Sequence, residues 1–320
     1  MENNNWYDVF LENLFEIFPK KAQLTQELMT LLCLEREAVY RRLRNDVVFH
    51  AHEVIKIAST WNISLDEMIG INFGKVPFQM YPLNYLNPTK KEFSNLLRRV
   101  KALDHLLTTE NSEYMDITNR LPRPLSIGFP SIYRFLIFKW VYQYSRNESH
   151  KQFSMIQVPD NIFKEFGHYK RNIVHVKNTH FILNQNIFES FVHSIKYFQS
   201  ILLVTEEEKE LLKKELFELI DYMSEIADKG YYPETQNKVN LYVSKINIDT
   251  NYSYIYTDKM KSCRVHAFGQ YDIASFNLEM IENFMIWMNL KKKASIQISE
   301  ANERSRIEFF VEQRKAVESL

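Results

Sequence analysis

Four arginines, Arg36, Arg41, Arg42 and Arg44, fall within nine residues, and a single acid, Glu37, stands among them. A guanidinium is a planar fork of donors that can meet a guanine edge through two hydrogen bonds or sit against a phosphate. The apolar residues around these arginines have the spacing of two helices joined by a tight turn. Leu28, Leu31 and Leu32 belong to the first helix, with Leu28 and Leu32 on its inner face; Leu34 fills the turn, and Val39 and Leu43 anchor the second helix. Glu35, Arg36, Glu37, Tyr40, Arg41 and Arg44 are left facing outward. Reading duplex DNA requires this arrangement, a helix held from behind that presents long donors to the major groove.

Other chemistries find less support. His168, His175 and His180 cluster in sequence, and Cys263 lies close to His266, but the spacings match no zinc pattern and the last two fall in an expected strand. The expectation is no metal and no cofactor. No G-x-S-x-G occurs, and His52-Glu53 is followed by Val-Ile-Lys, which breaks H-E-x-x-H. Six glycines in 320 residues, of which only Gly70 and Gly74 stand close together, exclude the P-loop and the dinucleotide fingerprint. The chain is therefore read as a non-enzyme. The same scarcity argues against sandwiches and propellers with tight turns every few residues.

The elements that would position the arginines form a run of short helices over 8–70. Val9, Phe10, Leu14, Ile17 and Phe18 give the first an apolar face, and Pro19 ends it. Residues 24–32 and 36–43 are the second and third. Val54, Ile55, Ile57, Ala58 and Trp61 mark a fourth, and Ser64 with Glu67 begins a fifth that Gly70 ends.

This segment resembles the phage-repressor-like (XRE-type) helix-turn-helix family of transcription regulators. Thr25-Gln26 match the family's opening of the first helix of the helix-turn-helix, and VIKIASTWNISLDEMIG over 54–70 matches its tail. Met29 and Cys33 stand where the family usually carries Ala and Gly, the latter at a turn position that favours left-handed backbone. The resemblance covers about residues 8–70. It implies a five-helix, lambda-repressor-like DNA-binding domain in which Gln26, Arg36, Glu37, Tyr40 and Arg41 face the groove. It also implies that Thr25, Arg44 and Asn45 contact the DNA backbone.

Beyond this segment, Pro77, Pro82 and Pro88 interrupt any period, so 75–88 reads as a linker between a domain over 1–74 and a dimerisation or sensor region over 89–320. Helices are expected over 89–107, 129–144, 187–203 and 205–229. The last opens on the capping pair Thr205 and Glu208 and closes at Gly230. Only about 239–268 changes period, to two or three strands; two helices follow, from Ser275 to Lys291-Lys292-Lys293 and over 299–317. The expected class is mainly α with a small β element.

Two features of this region admit more than one reading. The aromatics of 129–144 could line an effector pocket with Arg134 as its polar contact, or simply form core. Leu212, Leu216, Leu219, Met223 and Ile226 form a stripe that suits either a dimer seam or an internal face.

Lysine plus arginine and aspartate plus glutamate number 40 each, so net charge gives no pull toward nucleic acid or membrane. Residues 1–74 hold seven basic and eleven acidic residues, a balance of −4, though phosphate neutralisation dominates DNA affinity. Basic runs at Lys90–Lys101 and over 117–146 either touch flanking phosphates or form ordinary solvated faces. Two cysteines make no disulfide framework, MENNNWYDVF is no secretory signal, and 129–144 is too short to span a bilayer. These points read as a cytoplasmic protein without a membrane partner. The leading expectation is a homodimeric regulator bound to double-stranded DNA, with an effector acting on the C-terminal region. The alternative is a helical protein-interaction module that does not bind DNA.

Overall fold

The computed structural model describes residues 6–61, 63, 65, 78–80, 109–144, 152–156, 164, 173–258, 260–267 and 271–320. The Ser64–Glu67–Gly70 helix, most of 75–88, the helix over 89–107 with its basic run, Arg146 and His168 lie outside these residues. The chain divides into two compact units, Met1–Pro77 and Phe78–Leu320.

In the first unit, α1 (Trp6–Ile17), α2 (Lys21–Leu32), α3 (Arg36–Leu43) and α4 (Ala51–Trp61) surround one core. Tyr7, Phe10, Leu14, Leu24, Leu28, Val39, Leu43, Phe49, Val54 and Ile57 are buried in it. Ile17 is exposed, so the inner face of α1 runs through Tyr7, Phe10, Leu11 and Leu14 instead. Tyr7 fastens α1 to the segment after α3: its hydroxyl donates to Arg42 O (3.1 Å) and accepts from Phe49 N (3.1 Å).

The second unit is built on an eight-stranded sheet in the order β1-β7-β6-β5-β2-β3-β4-β8. Its strands are β1 (Gln79–Met80), β2 (Glu113–Thr118), β3 (Asn178–Asn184), β4 (Lys238–Ser244), β5 (Tyr252–Tyr256), β6 (Lys261–Ala267), β7 (Tyr271–Ser275) and β8 (Ile296–Gln297). β2, β3 and β4 run parallel; every other pairing is antiparallel. Its helices are α5 (Arg123–Ser126), α6 (Pro130–Tyr144), α7 (Glu189–Ser200), α8 (Glu206–Lys229), α9 (Leu278–Lys293) and α10 (Glu303–Glu318).

Successive strand residues face opposite ways. Tyr114, Phe181, Leu183, Val239, Leu241 and Ile255 join a large core with α6, α7, α8 and α10. Met115, Ile117, Ile182, Tyr242, Tyr254 and Cys263 join a smaller one beneath α9. This is an α/β architecture with helices on both faces of a mixed sheet, which corrects the expectation of a mainly α chain with a small β element at about 239–268.

The physical reason lies in β2 and β3. Both strands are buried on both faces, so EYMDIT and NTHFILN show no polar alternation to mark them. Nor does a mixed sheet need many glycines here. Cys33, Asn45, Leu202, Gln236, Glu300 and Asn302 all take positive φ, so side-chain-bearing residues make turns that glycine usually makes.

Where periods were local, the reading holds. Thr205 caps α8, with its Oγ1 accepting from Glu208 N (3.2 Å) and Glu208 Oε2 accepting from Thr205 N (2.9 Å). Gly230 ends the helix in the left-handed region. Leu212, Leu216, Leu219, Met223 and Ile226 are buried in the large core, so that stripe is an internal face. Tyr133, Phe135, Phe138 and Trp140 of α6 are core as well, with Phe135 and Phe138 packed on Phe153 and Phe198, while Tyr142 is exposed. Arg134 lies 4.4 Å from the Phe153 ring centre. Among the described residues, no helix is long and apolar enough to cross a membrane.

Candidate nucleic-acid interface

α2 and α3 are joined by Cys33, Leu34 and Glu35. The turn is made by Cys33 in the left-handed region, φ 54° and ψ 42°, the conformation its position calls for. Val39 and Leu43 press α3 onto Leu24 and Leu28 of α2, so the opposite side of α3 faces solvent.

What fixes α3 from behind is also an ion pair. Arg42 is buried, and its Nε and Nη2 donate to Glu53 Oε2 and Oε1 at 3.0 Å each, while Nη1 donates to Ala38 O at 3.1 Å. Glu53 Oε2 also accepts from His50 N (2.8 Å), capping the start of α4. Burial works to raise the Glu53 carboxyl, but Arg42 and the His50 amide outweigh it and hold it below its ordinary value. One of the four clustered arginines is thus structural. Sequence reading missed this pairing because His50 is no standard cap, and the eleven residues from Arg42 to Glu53 follow no helical period.

On the outer face the remaining side chains differ in how free they are. The Arg41 guanidinium makes no hydrogen bond or ion pair among the described residues and is exposed. Arg36 donates to the Tyr40 hydroxyl (3.2 Å), and Lys21 and Arg36 flank the Tyr40 ring at 5.7 and 5.5 Å. The Arg36 hydrogen bond holds the Tyr40 phenol below its ordinary value. Gln26 is exposed midway along α2, which opens at Lys21 and not at Thr25-Gln26 as the resemblance implied. These four side chains, with Lys21, make a donor-rich face.

Arg44 is different. It meets Glu37 Oε1 and Asp46 Oδ2, each at 3.1 Å, so its charge is already balanced. Asn45 takes φ 62° and donates to Asp8 Oδ1 (3.3 Å). Thr25 is 2% exposed, and its hydroxyl donates to Lys21 O (2.7 Å), so it turns inward, beside Tyr40. Lys21 was not singled out by sequence, since its place over Tyr40 depends on how α2 crosses α3.

Among the described residues, the histidine and cysteine candidates are not brought together. Cys263 faces the α9 core, whereas His266 faces the other side of the sheet and lies 3.2 Å from Arg123 Nη2. His180 is on β3, and its Nε2 lies 3.5 Å from Glu113 Oε1. No protein-family model, curated protein or solved structure matches the chain.

Proposed function

We propose that the chain is a sequence-specific DNA-binding transcription regulator that acts as a homodimer, with α3 in the major groove and the C-terminal unit dimerising or answering an effector. The observation that carries this reading is the division of labour on α3. Arg42 is locked to Glu53 behind the helix, while Arg41 in front has no partner among the described residues and Arg36 stands over Tyr40. An exposed, unpaired guanidinium on a helix braced from behind is free to take a bidentate partner on a base edge. Two-fold pairing doubles the few base pairs that one short helix covers.

The test is selection from a random duplex library with the full chain, beside an Arg36→Ala/Arg41→Ala variant. A two-fold symmetric motif that the variant loses is the expected result. Arg41→Ala alone should relax preference at one base position, by about 1–3 kcal/mol. Arg44→Ala should lower affinity across all sequences and flatten the salt slope by at most about one unit, because Glu37 and Asp46 already offset that charge.

One observation favours a second reading. The two carboxylates on Arg44 and the −4 balance of residues 1–74 suit a face that meets a protein partner. Absence of any enriched duplex from the selection moves the partner-binding reading to first place.

A further inference from the structure

The α8 stripe that could have formed a dimer seam is internal, so a seam has to lie elsewhere. α9 presents the strongest candidate. Its inner face sets Ile281, Phe284 and Met288 into the smaller core. At about 100° per residue, the opposite side carries Glu279, Glu282, Asn283, Ile286, Leu290 and Lys293. Ile286 is 60% and Leu290 58% exposed, and Leu278 at the edge of this side is 64% exposed. An α-helix on a protein surface normally turns polar residues outward; this one sets Ile286 and Leu290, one turn apart, among them.

The order of charges along that ridge selects the occupant. Acids stand at the start, Glu279 and Glu282, and lysine at the end, Lys293. In an antiparallel pair centred on Ile286, residue numbers facing each other sum to the same value. Ile286 then faces its own copy, Glu282 faces the partner's Leu290, and Glu279 faces the partner's Lys293. Ile286 on its own copy, Asn283 against the partner's Asn289 and Glu279 against the partner's Lys293 match about a single residue, as an isologous two-fold contact requires, while each Glu282 carboxylate stays in solvent beside the partner's Leu290.

We propose that α9 is a homodimer seam in which a second copy of this chain packs its α9 antiparallel across Ile286 and Leu290, with Glu279 against the partner's Lys293 at both ends. The seam rests on α9 alone; only its use in pairing DNA half-sites rests on the DNA-binding reading. A contact between two helices of 16 residues, each about 24 Å long, is small, at or below about 1,200 Å². The dimer therefore dissociates within a measurable concentration range.

Sedimentation velocity on the full chain from roughly 1 to 100 μM, a span suited to weak interfaces, tests the seam. The wild type is expected to shift from monomer toward dimer across that range. Ile286→Asp/Leu290→Asp should remain monomeric with an unchanged far-UV circular dichroism spectrum, since both side chains point away from the core. Glu279→Lys should weaken the dimer severalfold, and Glu279→Lys/Lys293→Glu should restore it. The restored variant opposes the α9 dipole at both ends, so the rescue reports the contact between copies and not helix stability.

A wild type that is monomeric at the top concentration overturns the seam. So does a dimer that survives Ile286→Asp/Leu290→Asp, or a charge swap that fails to rescue. The duplex selection separates the two readings. A dimer through α9 with no enriched duplex leaves the seam standing and removes the DNA reading. An enriched motif with a monomeric protein does the reverse.

Discussion

In the N-terminal unit the buried Arg42 meets both oxygens of Glu53 and the carbonyl of Ala38. The C-terminal unit satisfies its buried Glu215 through the amides of Ser131 and Ile132 but leaves other interior polar groups short. Among the described residues, His180 is buried with Nδ1 unpartnered, and Lys139 has the Ser194 hydroxyl and the Phe191 ring but no carboxylate. Burial pushes Lys139 down to about 8, and the Arg120 charge adds to this. Unit size accounts for the contrast. Among the described residues, eleven buried apolar side chains make the first unit's core, against 42 in the larger core of the second unit and ten in the smaller one that His180 faces. A small unit leaves little margin over chain entropy, so an uncompensated charge would unfold it; a large unit tolerates a few strained groups.

Cutting the ion pair is the largest way to break the contrast. Arg42→Ala leaves Glu53 buried without its partner and should cost the first unit about 3–5 kcal/mol. Amide exchange across α3 and α4 should then approach that of an unfolded segment, while the strands of the second unit keep their protection. Replacing both partners, Arg42→Met/Glu53→Leu, should recover most of that loss, since well-packed apolar residues often match a buried pair. Equal loss in the single and double variants would mean that the Ala38 and His50 contacts, not the pairing, hold α3.

Acid sharpens the same comparison at a lower magnitude. His180 sits 3.5 Å from Glu113, a spacing that would suit an imidazolium, yet burial, with Lys292 and Lys238 nearby, pushes it down to about 3. Desolvation outweighs the carboxylate, whose own value burial raises. The unfolded chain protonates this histidine near pH 6.5 and the folded one does not, so the unfolded state binds more protons as pH falls. Stability of the second unit should drop by about 2 kcal/mol between neutrality and pH 5. In His180→Gln that slope should flatten. The Glu53 carboxyl, held below its ordinary 4.5, keeps the first unit's ion pair intact through this window and loses it only at lower pH. Denaturant midpoints followed by amide exchange at pH 7, 6 and 5 distinguish the two units.

The two regions also differed in how much of them could be read from sequence. α2, the turn and α3 are local, and an apolar period from Leu28 to Leu43 defines them within 16 residues. The outward set of Glu35, Arg36, Glu37, Tyr40, Arg41 and Arg44 came from that period; Thr25, which the resemblance set on the DNA backbone, turns inward, and Arg42, which the period left unassigned, is claimed by Glu53, a partner one helix away. In the second unit the capped helix α8 and the antiparallel strands β5 and β6 announced themselves. The parallel strands β2 and β3 did not. Their partners lie about 60 residues away, as Met115 against His180 and Phe181 against Leu241 show, and burial on both faces erases alternation.

The smallest expected effect sets one backbone conformation against itself in the two units. Cys33 and Gly230 both end a helix in the left-handed region, at φ 54° and 73°. A Cβ in that region meets the neighbouring carbonyl and costs roughly 1 kcal/mol. The exposed Cys33 thiol recovers little, reaching only Thr30 O at 4.0 Å. Cys33→Gly should therefore stabilise the first unit, by about 0.5 kcal/mol after the extra entropy that glycine gives the unfolded chain. Gly230→Ala should destabilise the second by about 1–2 kcal/mol, because the new methyl also runs into the Glu300 side chain. Opposite signs in urea melts would show that each unit's turn is set by backbone strain. A loss of stability in Cys33→Gly would instead mean that the thiol packs the turn, and the left-handed residue there would be maintained by its side chain despite its backbone.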